Sequence, residues 1–393
     1  MNVWKVASVS RLACVLLAAL VDWFCPDWDA SGSLLYPNLQ NRFVRFIIGP
    51  LVKWDAVYFL RIAQFGYEHE QVHAFFPGFP MAIRGLNFLA SPILDLLSVT
   101  ATIDQLAICG FIISNVSFVI SAALVKIISS RVLSKRKAEL ATILYCFPAC
   151  NIFMSAVYTE SFFAMLSFGS IVALRRSFFV AALLGIAAGF VRSTAIFLVA
   201  FFVSEGLRQN RMLASVVASV PVVASSRLYL AWAKSLYCDV AIPASWCSEW
   251  GDIYSYVQLK FWDVGLFRYY QLKNIGFFLL ALPTFVTAIV YYIIPRLQRS
   301  LKGRRLTLPS LFSLAKDKHL PYLAHLVACL LVTSLLANVQ IITRMVSASP
   351  AFLWAQVEVL DSAHWFIKYV LTVVHVSYYF IGPILFANFL PWT

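Results

Sequence analysis

One acidic residue, Asp55, stands in a polar and aromatic segment, KWDAVYFLRIAQFGYEHEQVHAFFPGFP, that covers residues 53–80. It follows Trp54 and precedes an apolar run whose spacing predicts a short amphipathic helix. A carboxylate within hydrogen-bond reach of an alcohol can take its proton as the alcohol attacks a carbon. Asp is also a common helix N-cap, because it accepts hydrogen bonds from first-turn amides. Both roles can coexist, so Asp55 is a candidate general base as well as a candidate N-cap.

Four side chains could stabilise an anionic leaving group: His73, Arg192, Arg268 and Arg344. Fixed hydrogen-bond donors stabilise charge that develops in a transition state. Arg192 interrupts the apolar run FFVAALLGIAAGFVRSTAIFLVAFF, and a cation near membrane depth is costly and usually functional. The structural alternatives are snorkelling at a helix end for Arg192 and Arg344, and an interfacial anchor for Arg268.

A second acid, Glu160, follows Tyr158 and Thr159 at the start of another apolar segment. An N-cap at Thr159 and a first-turn acid at Glu160 explain this pattern structurally. A carboxylate at this turn could also bind substrate hydroxyls or orient the base, so we include it in the site. Further substrate contacts are predicted at Trp54, Tyr67, Glu70, His73, Phe76 and Tyr158.

Glu68, His69, Glu70 and His73 form the pattern E-H-E-x-x-H, which raises the question of a metal site. The pattern does not contain the HExxH unit that places two histidines on one helix face. Two His and two Glu on a polar loop are more often solvated. We therefore expect no metal and no other cofactor.

The composition identifies the setting of these residues. The 393-residue chain is 61% hydrophobic and 12% charged, with a mean hydropathy of +0.80. Soluble domains carry about twice that share of charge. The 33 Phe, 17 Tyr and 11 Trp suit lipid-facing surfaces and interfacial belts. We therefore predict an all-α, polytopic membrane protein and exclude a soluble enzyme.

About twenty apolar residues cross a membrane, and the sequence offers about ten such segments, the first of which we interpret as a retained span or signal anchor. The predicted spans are 9–25, 106–128, 138–157, 160–174, 178–191, 193–205, 212–233, 275–295, 320–342 and 365–390.

Charge is distributed unevenly between the two sides that these spans define. One side comprises the N-terminus and the connections 129–139, 175–177, 205–211 and 296–318. It carries seventeen basic and three acidic residues, whereas the rest of the chain carries fourteen and fifteen. The positive-inside rule makes the basic side, and with it the N-terminus, cytosolic. The net charge of +13 thus reports topology, and nucleic-acid binding is not expected.

The opposite side holds the candidate chemistry. It comprises 26–105, the turns at 158–161 and 192, the loop 235–274 and the stretch 340–364. In a eukaryotic cell this side faces the endoplasmic reticulum lumen. We predict a single integral membrane domain over 1–393, with 26–105 as a first luminal loop bearing amphipathic helices and the catalytic motif, and 235–274 as a second luminal loop. Cys238 and Cys247 could pair in that oxidising compartment.

Several blocks of the sequence resemble one known family. They are WDAVYFLRIAQFGY with AFFPGFP (54–80), CFPACNIFMSAVYTES (146–161), GFVRST (189–194), DVGLFRYYQLKNIGFFLLALP (263–283) and NVQIITRMVSASPAFLW (338–354). Together they resemble the GPI mannosyltransferase 2 family, a branch of the lipid-dependent C-type (GT-C) glycosyltransferases. The first block is the specific one. The chain departs from the family at Ala348–Ala351, where a Cys-Pro-Pro-like turn is usual, and at Arg61, where an apolar residue is expected.

The resemblance implies an inverting mannosyltransferase of the endoplasmic reticulum membrane. Such an enzyme transfers mannose from dolichyl-phosphate-mannose, in α1,6 linkage, to the first mannose of a glycosylphosphatidylinositol (GPI) precursor. It implies Asp55 as the base, no obligate metal, and a small membrane protein as a possible partner subunit.

Three other functions remain open from the sequence. A lipid transporter or flippase would also be polytopic, but it would place ionisable groups within many spans. Here most spans hold few such groups, and Arg227, His325, Lys368 and His375 are among the few that lie within them. Another glycosyltransferase that uses a lipid-linked sugar would share these general features, and only the sequence motifs distinguish it. A scaffold subunit would tolerate loss of the Asp55 carboxylate.

Overall fold

The computed structural model describes residues 2–28, 38–301 and 316–392, and within these ranges the regular structure is helical, with no strand. The α-helices of the first half are α1 (Val3–Phe24), α2 (Arg42–Ile48), α3 (Ala56–Phe65), α4 (Gly78–Leu96), α5 (Thr102–Ser130), α6 (Lys135–Cys146), α7 (Glu160–Ala173) and α8 (Phe178–Val191). Those of the second half are α9 (Val199–Arg208), α10 (Met212–Cys238), α11 (Ile253–Trp262), α12 (Ile275–Ala288), α13 (Ile294–Leu301), α14 (Leu320–Leu335), α15 (Ile342–Met345), α16 (Pro350–Ser362) and α17 (Trp365–Ala387). Short 3-10 segments join several of them.

Among the described residues, five helical stretches are long and apolar enough to cross a membrane: Val3–Phe24, Thr102–Ser130, Met212–Cys238, Leu272–Ser300 and Trp365–Ala387. The two longest, Thr102–Ser130 and Leu272–Ser300, have 29 residues each, which corresponds to about 44 Å at 1.5 Å per residue. The hydrocarbon core is about 30 Å thick. Helices α7, α8 and α14 are apolar but shorter. The prediction of an all-α, multi-pass membrane protein is therefore confirmed, whereas the count of ten spans is not.

The predicted span 138–157 is not one helix. Helix α6 ends at Cys146, and the next residue, Phe147, has φ −124° and ψ 63°. The reason is Pro148, because proline clashes with the helical conformation of the residue before it. A short 3-10 segment, Asn151–Met154, follows. The broken helix brings the chain into the turn that precedes Glu160.

A buried arginine on α1 stabilises this broken helix. Arg11 Nη1 donates to the Asn151 carbonyl at 2.9 Å and to Ser155 Oγ at 3.0 Å, and the guanidinium lies 3.8 Å from the centre of the Phe118 ring. Buried polar groups require hydrogen-bond partners. Arg11 thus supplies donors to backbone and side-chain oxygens that lie outside regular α-helix.

Two further predicted spans also differ in their helices. Over 193–205 the chain forms a 3-10 segment, Ser193–Leu198, before α9 continues to Arg208. Over 320–342 the helix α14 ends at Leu335, and short turns follow it to α15.

The basic connections meet at one end of the bundle, which we call the basic face. Arg208 donates to the carbonyls of Lys316 (3.2 Å) and Asp317 (2.8 Å), and Gln209 to that of Leu174 (3.3 Å). Chain segments that are distant in sequence are thus neighbours here, as the charge distribution predicts.

The prediction that 340–364 lies wholly on the opposite side is wrong. Helix α16 ends at the basic face, where Glu358 and Asp361 lie 3.2 and 2.9 Å from Lys137 Nζ. Hydrogen bonding and ion pairing with that amine hold the pKa of the Asp361 carboxyl below its usual range. The number of charged residues in the stretch does not show that the start and the end of α16 lie on different sides.

The other end of the bundle, which we call the site face, carries the two long loops. They are joined by a hydrogen bond from Trp246 Nε1 to Glu70 Oε1 at 2.7 Å. The structure also contains the Cys238–Cys247 disulfide, which the sequence left open. It closes the turn between α10 and the 3-10 segment that carries Trp246.

Close helix packing fixes the start of α4 beside the end of α8. A Cβ built on Gly78 would lie 2.8 Å from the Phe190 carbonyl, so only glycine allows this approach. Gly185 and Gly189 on α8 likewise contact Val222 and Ser225 on α10. Small residues at such interfaces let membrane helices approach closely.

Candidate functional site

Asp55 immediately precedes α3 but does not cap it. Its backbone is helical (φ −61°, ψ −20°), and its side chain makes no capping hydrogen bond. Trp54, just before it, has φ +57°, the left-handed region that bulky residues rarely adopt. Such strain costs about 1–3 kcal/mol and clusters at active sites. The carboxylate is therefore not used to cap its own helix.

Two hydrogen bonds fix Asp55 against the turn before Glu160. The Asp55 amide donates to Tyr158 Oη at 2.9 Å, and the Val157 amide donates to the Leu51 carbonyl at 3.1 Å. Tyr158 is fully buried. The Tyr158 hydroxyl contacts the backbone amide of Asp55 and not its carboxylate.

Asp55, Glu160, Arg192 and Arg344 form one group, which we call the charge cluster. Glu160 Oε1 accepts from Arg344 Nε at 2.7 Å and lies 3.1 Å from Arg192 Nη1. Arg344 Nη2 lies 3.8 Å from Asp55 Oδ2. The cluster contains two carboxylates and two guanidinium groups, which come from four distant segments of the chain.

Exposure separates the two acids. The Glu160 side chain is fully buried, whereas that of Asp55 is 40% exposed. The two arginines are partly accessible, at 19% for Arg192 and 17% for Arg344. A substrate can therefore reach the Asp55 side chain and part of each arginine side chain, whereas the Glu160 side chain is out of its reach.

The surroundings also set the ionisation of Asp55. Burial of part of the carboxyl group raises its pKa above the usual value, and the Arg344 guanidinium opposes part of this effect. A base with a raised pKa takes a proton more readily while staying ionised near neutral pH. Asp55 therefore has the exposure, position and basicity that proton removal needs.

Aromatic rings hold Arg344 in place. Its guanidinium lies 4.4 Å from the centre of the Phe153 ring and 5.2 Å from that of Tyr158. Arginine on an aromatic face is favoured electrostatically. The carboxylates beside it raise the pKa of Arg344 further, so it remains a cation at every accessible pH.

His73 does not join the charge cluster. It is buried, its ring stacks on Tyr67 with the ring centres 4.5 Å apart, and its Nδ1 lies 3.1 Å from Tyr229 Oη. Burial lowers the pKa of His73 to about 4, so the ring is neutral at neutral pH. The expectation that His73 stabilises an anionic leaving group therefore has no support in its environment.

Arg268 also lies apart from the cluster. Its Nη1 pairs with Asp263 at 2.9 Å, and both side chains are more than half exposed. The neighbouring Tyr269 hydroxyl donates to Gln340 Oε1, four residues before Arg344. Arg268 thus lies on a loop that contacts the Arg344 segment, without a contact to the cluster.

The predicted substrate-binding residues of loop 26–105 differ in their exposure and in their contacts. Trp54 is exposed beside Asp55 and packs on Phe389, with the ring centres 5.6 Å apart. The Glu70 carboxylate accepts a hydrogen bond from Trp246, and the Phe76 ring is buried between those of Tyr229 and Tyr254.

The four residues of the E-H-E-x-x-H pattern do not converge. Glu68 pairs with Arg61 at 2.7 Å, Glu70 binds Trp246, and His73 is buried. Within the described residues, no group of three or more His, Cys, Asp or Glu side chains is placed to hold a metal ion.

One residue that the sequence analysis missed is Tyr254, on α11. Its ring packs on Phe76, with the ring centres 5.8 Å apart. Burial raises its pKa, and the nearby Arg192 cation opposes this. Nothing distinguishes it in the sequence from sixteen other tyrosines, because its role depends on how loop 235–274 folds onto the first loop.

The chain is similar in sequence to known proteins along its whole length. A family model described as Mannosyltransferase (PIG-V) matches residues 2–393. "GPI alpha-1,6-mannosyltransferase 2" is 28% identical in Cricetulus griseus and 27% in Homo sapiens, in both cases over 100% of this chain and 98% of the relative. "GPI mannosyltransferase 2" of Yarrowia lipolytica is 28% identical over 88% of this chain and 87% of the relative.

One solved structure with similarity to the chain is the archaeal oligosaccharyltransferase AglB from Archaeoglobus fulgidus, in complex with an inhibitory peptide and a dolichol-phosphate. The TM-score is 0.46 at 10% identity, over 96% of this chain and 55% of that chain. The family match, by contrast, extends over nearly the whole sequence and confirms the resemblance drawn from the motifs. The chain therefore belongs to the Mannosyltransferase (PIG-V) family.

Proposed function

We propose that this protein transfers mannose from dolichyl-phosphate-mannose to the first mannose of a GPI precursor, in α1,6 linkage. The observation that carries the proposal is the charge cluster: an accessible carboxylate, Asp55, lies beside two arginines that a buried acid, Glu160, holds in place. Membership of a mannosyltransferase family and the names of the relatives support mannose and the GPI glycolipid as substrates.

In the proposed reaction, Asp55 takes the proton of the acceptor hydroxyl. The hydroxyl oxygen forms a bond to the anomeric carbon of mannose, and the bond from that carbon to the phosphate oxygen breaks. The bonding electrons leave with dolichyl phosphate. In-line attack inverts the configuration, so a β-linked donor gives an α-linked product.

Arg192 and Arg344 stabilise the phosphate as its charge develops. Arg344 presents Nη2 towards Asp55 while its Nε stays bonded to Glu160, so the guanidinium is fixed before the substrate arrives. Donors that are positioned in advance need no reorganisation during the reaction. Glu160 is a positioning residue, because its side chain is buried and holds both arginines.

We also propose that the site faces the endoplasmic reticulum lumen, and that the reaction needs no metal or other cofactor. The Cys238–Cys247 disulfide on the site face supports an oxidising compartment. The basic face would then be cytosolic, with the N-terminus. A small membrane protein remains a proposed partner, and the loops of the site face are where it could bind.

A transfer assay with defined lipids tests the function. The purified protein is given labelled dolichyl-phosphate-mannose and a one-mannose GPI precursor, and the linkage of the product is determined. We expect one added mannose in α1,6 linkage. Transfer only to another acceptor would indicate a different lipid-linked-sugar glycosyltransferase. Lipid movement without transfer would indicate a transporter. Either result would overturn the proposal.

A further inference from the structure

An apolar cleft of about 430 Å³ opens at the end of α3 that is distant from Asp55. Its walls come from the end of α3, the start of α4, the end of α8 and the middle of α10. The residues that line the cleft include Ala63, Tyr67, Arg84, Phe190, Leu228 and Trp232.

Arg84 is the one charged residue among those described that line this cleft. It is exposed, and within the described parts of the chain it has no ion-pair or hydrogen-bond partner. Arginine binds phosphate through paired, charge-assisted hydrogen bonds. A cation without a protein partner beside an apolar cleft is complementary to a lipid that carries a phosphate.

The cleft is continuous with the elements that carry the charge cluster. Ala63 follows Asp55 by eight residues along α3, which corresponds to roughly 12 Å at the rise of an α-helix. Phe190 lines the cleft, and Arg192, two residues further on, belongs to the cluster. The cleft and the charge cluster therefore lie on the same two chain segments, about 12 Å apart along α3.

If the proposed function holds, the distance between the cleft and Asp55 determines which of the two lipid substrates binds in the cleft. The phosphate of the donor is bonded to the reacting carbon, so it must lie at the charge cluster. In the acceptor, inositol and sugars separate the phosphate from the mannose hydroxyl that reacts. A phosphate held a short oligosaccharide's length from Asp55 is therefore the acceptor's.

We propose that the cleft binds the phosphoinositol part of the GPI acceptor, with Arg84 on its phosphate. Tyr67 and Trp232 then offer aromatic faces to the rings of the headgroup, and Leu228 contacts the lipid stem. The acceptor glycan extends along α3 towards Asp55, and the donor approaches the arginines of the cluster.

Binding measurements on the full chain in lipid nanodiscs test this inference without requiring catalysis. The probe is a labelled one-mannose GPI precursor. We expect Arg84→Gln to weaken its binding by about tenfold or more, as the loss of a charge-assisted hydrogen bond predicts. Arg84→Lys should bind more weakly than the wild type but more tightly than Arg84→Gln, because it keeps the charge and loses the paired hydrogen bonds. The matched control is Arg227→Gln, an exposed arginine on α10 that does not line the cleft, and it should bind like the wild type.

Two further probes identify the source of the phosphate. A phosphate-free headgroup glycan should bind wild type and Arg84→Gln equally, and dolichyl-phosphate-mannose should also bind both equally. The inference is overturned if the precursor binds both proteins equally, or if the donor is the ligand that Arg84→Gln weakens. Failure of the proposed function would instead appear as absence of mannose transfer by the wild type, which these binding measurements do not use.

Discussion

At the residue scale, the two acids of the charge cluster differ in what surrounds them. Glu160 is buried and holds two arginines, whereas Asp55 is partly exposed and only approaches one of them, at 3.8 Å. Asp55 also lacks the helix-capping bond that would otherwise account for it. The division of roles between base and positioning acid follows from these contacts.

The pH dependence of transfer should report the raised pKa of Asp55. Only the ionised carboxylate can take a proton, so activity should fall as the pH decreases through that pKa. We expect the acid limb of kcat above the usual range for Asp, about 3.9. Arg344→Gln removes the cation that lowers the Asp55 pKa, so the limb of its residual activity should move to higher pH. A limb at or below 3.9, or a downward shift in the variant, would contradict this assignment.

Replacement of Glu160 should affect both stability and activity. Glu160→Gln leaves Arg192 and Arg344 without their carboxylate, and removing one partner of a buried ion pair costs about 3–5 kcal/mol. We therefore expect a lower thermal midpoint, measured by tryptophan fluorescence at a fixed scan rate, together with loss of transfer. An unchanged midpoint would show that Glu160 does not hold the arginines.

Much of the charge cluster could be predicted from the sequence, because costly charges in apolar surroundings are conspicuous. Arg192 and Glu160 stand out for that reason, and Asp55 lies within the most specific motif. The fate of His73 could not be predicted. Its local sequence, EHEQVH, looks solvated, but the ring is buried by Tyr67 and Tyr229, which the fold brings together.

At the element scale, broken helices position the site. Pro148 ends α6 early, and the irregular chain that follows delivers Tyr158 to the amide of Asp55. The sequence predicted a continuous span there because the segment is mostly apolar. Hydropathy reports where a segment can lie in the membrane but not whether its backbone is helical, and only the proline indicated the break.

The loop that follows α10 should contain the one disulfide seen among the described cysteines. Mass spectrometry of the alkylated protein should find Cys238 and Cys247 modified only after reduction. The other six cysteines are free thiols and should be modified in the denatured protein without reduction. Modification of Cys247 before reduction would show that the loop is open.

At the scale of the whole molecule, the two ends of the bundle have different chemistry. The basic face collects cationic connections, and the site face collects the charge cluster and both long loops. The sequence predicted this division from charge alone. It misplaced the end of α16, because Glu358 and Asp361 are acids that pair with Lys137 on the basic face.

Thiol labelling should establish which compartment each end faces. Cys25 is an exposed free thiol just after α1, near the Lys53–Asp22 ion pair of the site face. In sealed microsomes a membrane-impermeant maleimide should not label it, and labelling should appear once the membrane is opened. Ser134→Cys, an exposed position on the basic face, should be labelled in sealed microsomes. The reverse pattern would invert the proposed orientation.

The most direct test of the account is mannose transfer by Asp55→Asn. Removal of a general base typically costs 10²–10⁴-fold in rate, so we predict at least about a hundredfold lower kcat for transfer to the one-mannose GPI precursor. The thermal midpoint should not fall, because the neutral side chain removes a carboxylate whose ionisation the fold disfavours. Asp263→Asn, which alters only an exposed ion pair, should transfer at the wild-type rate. Transfer by Asp55→Asn within a few-fold of the wild type would contradict the central claim that this carboxylate removes the acceptor's proton.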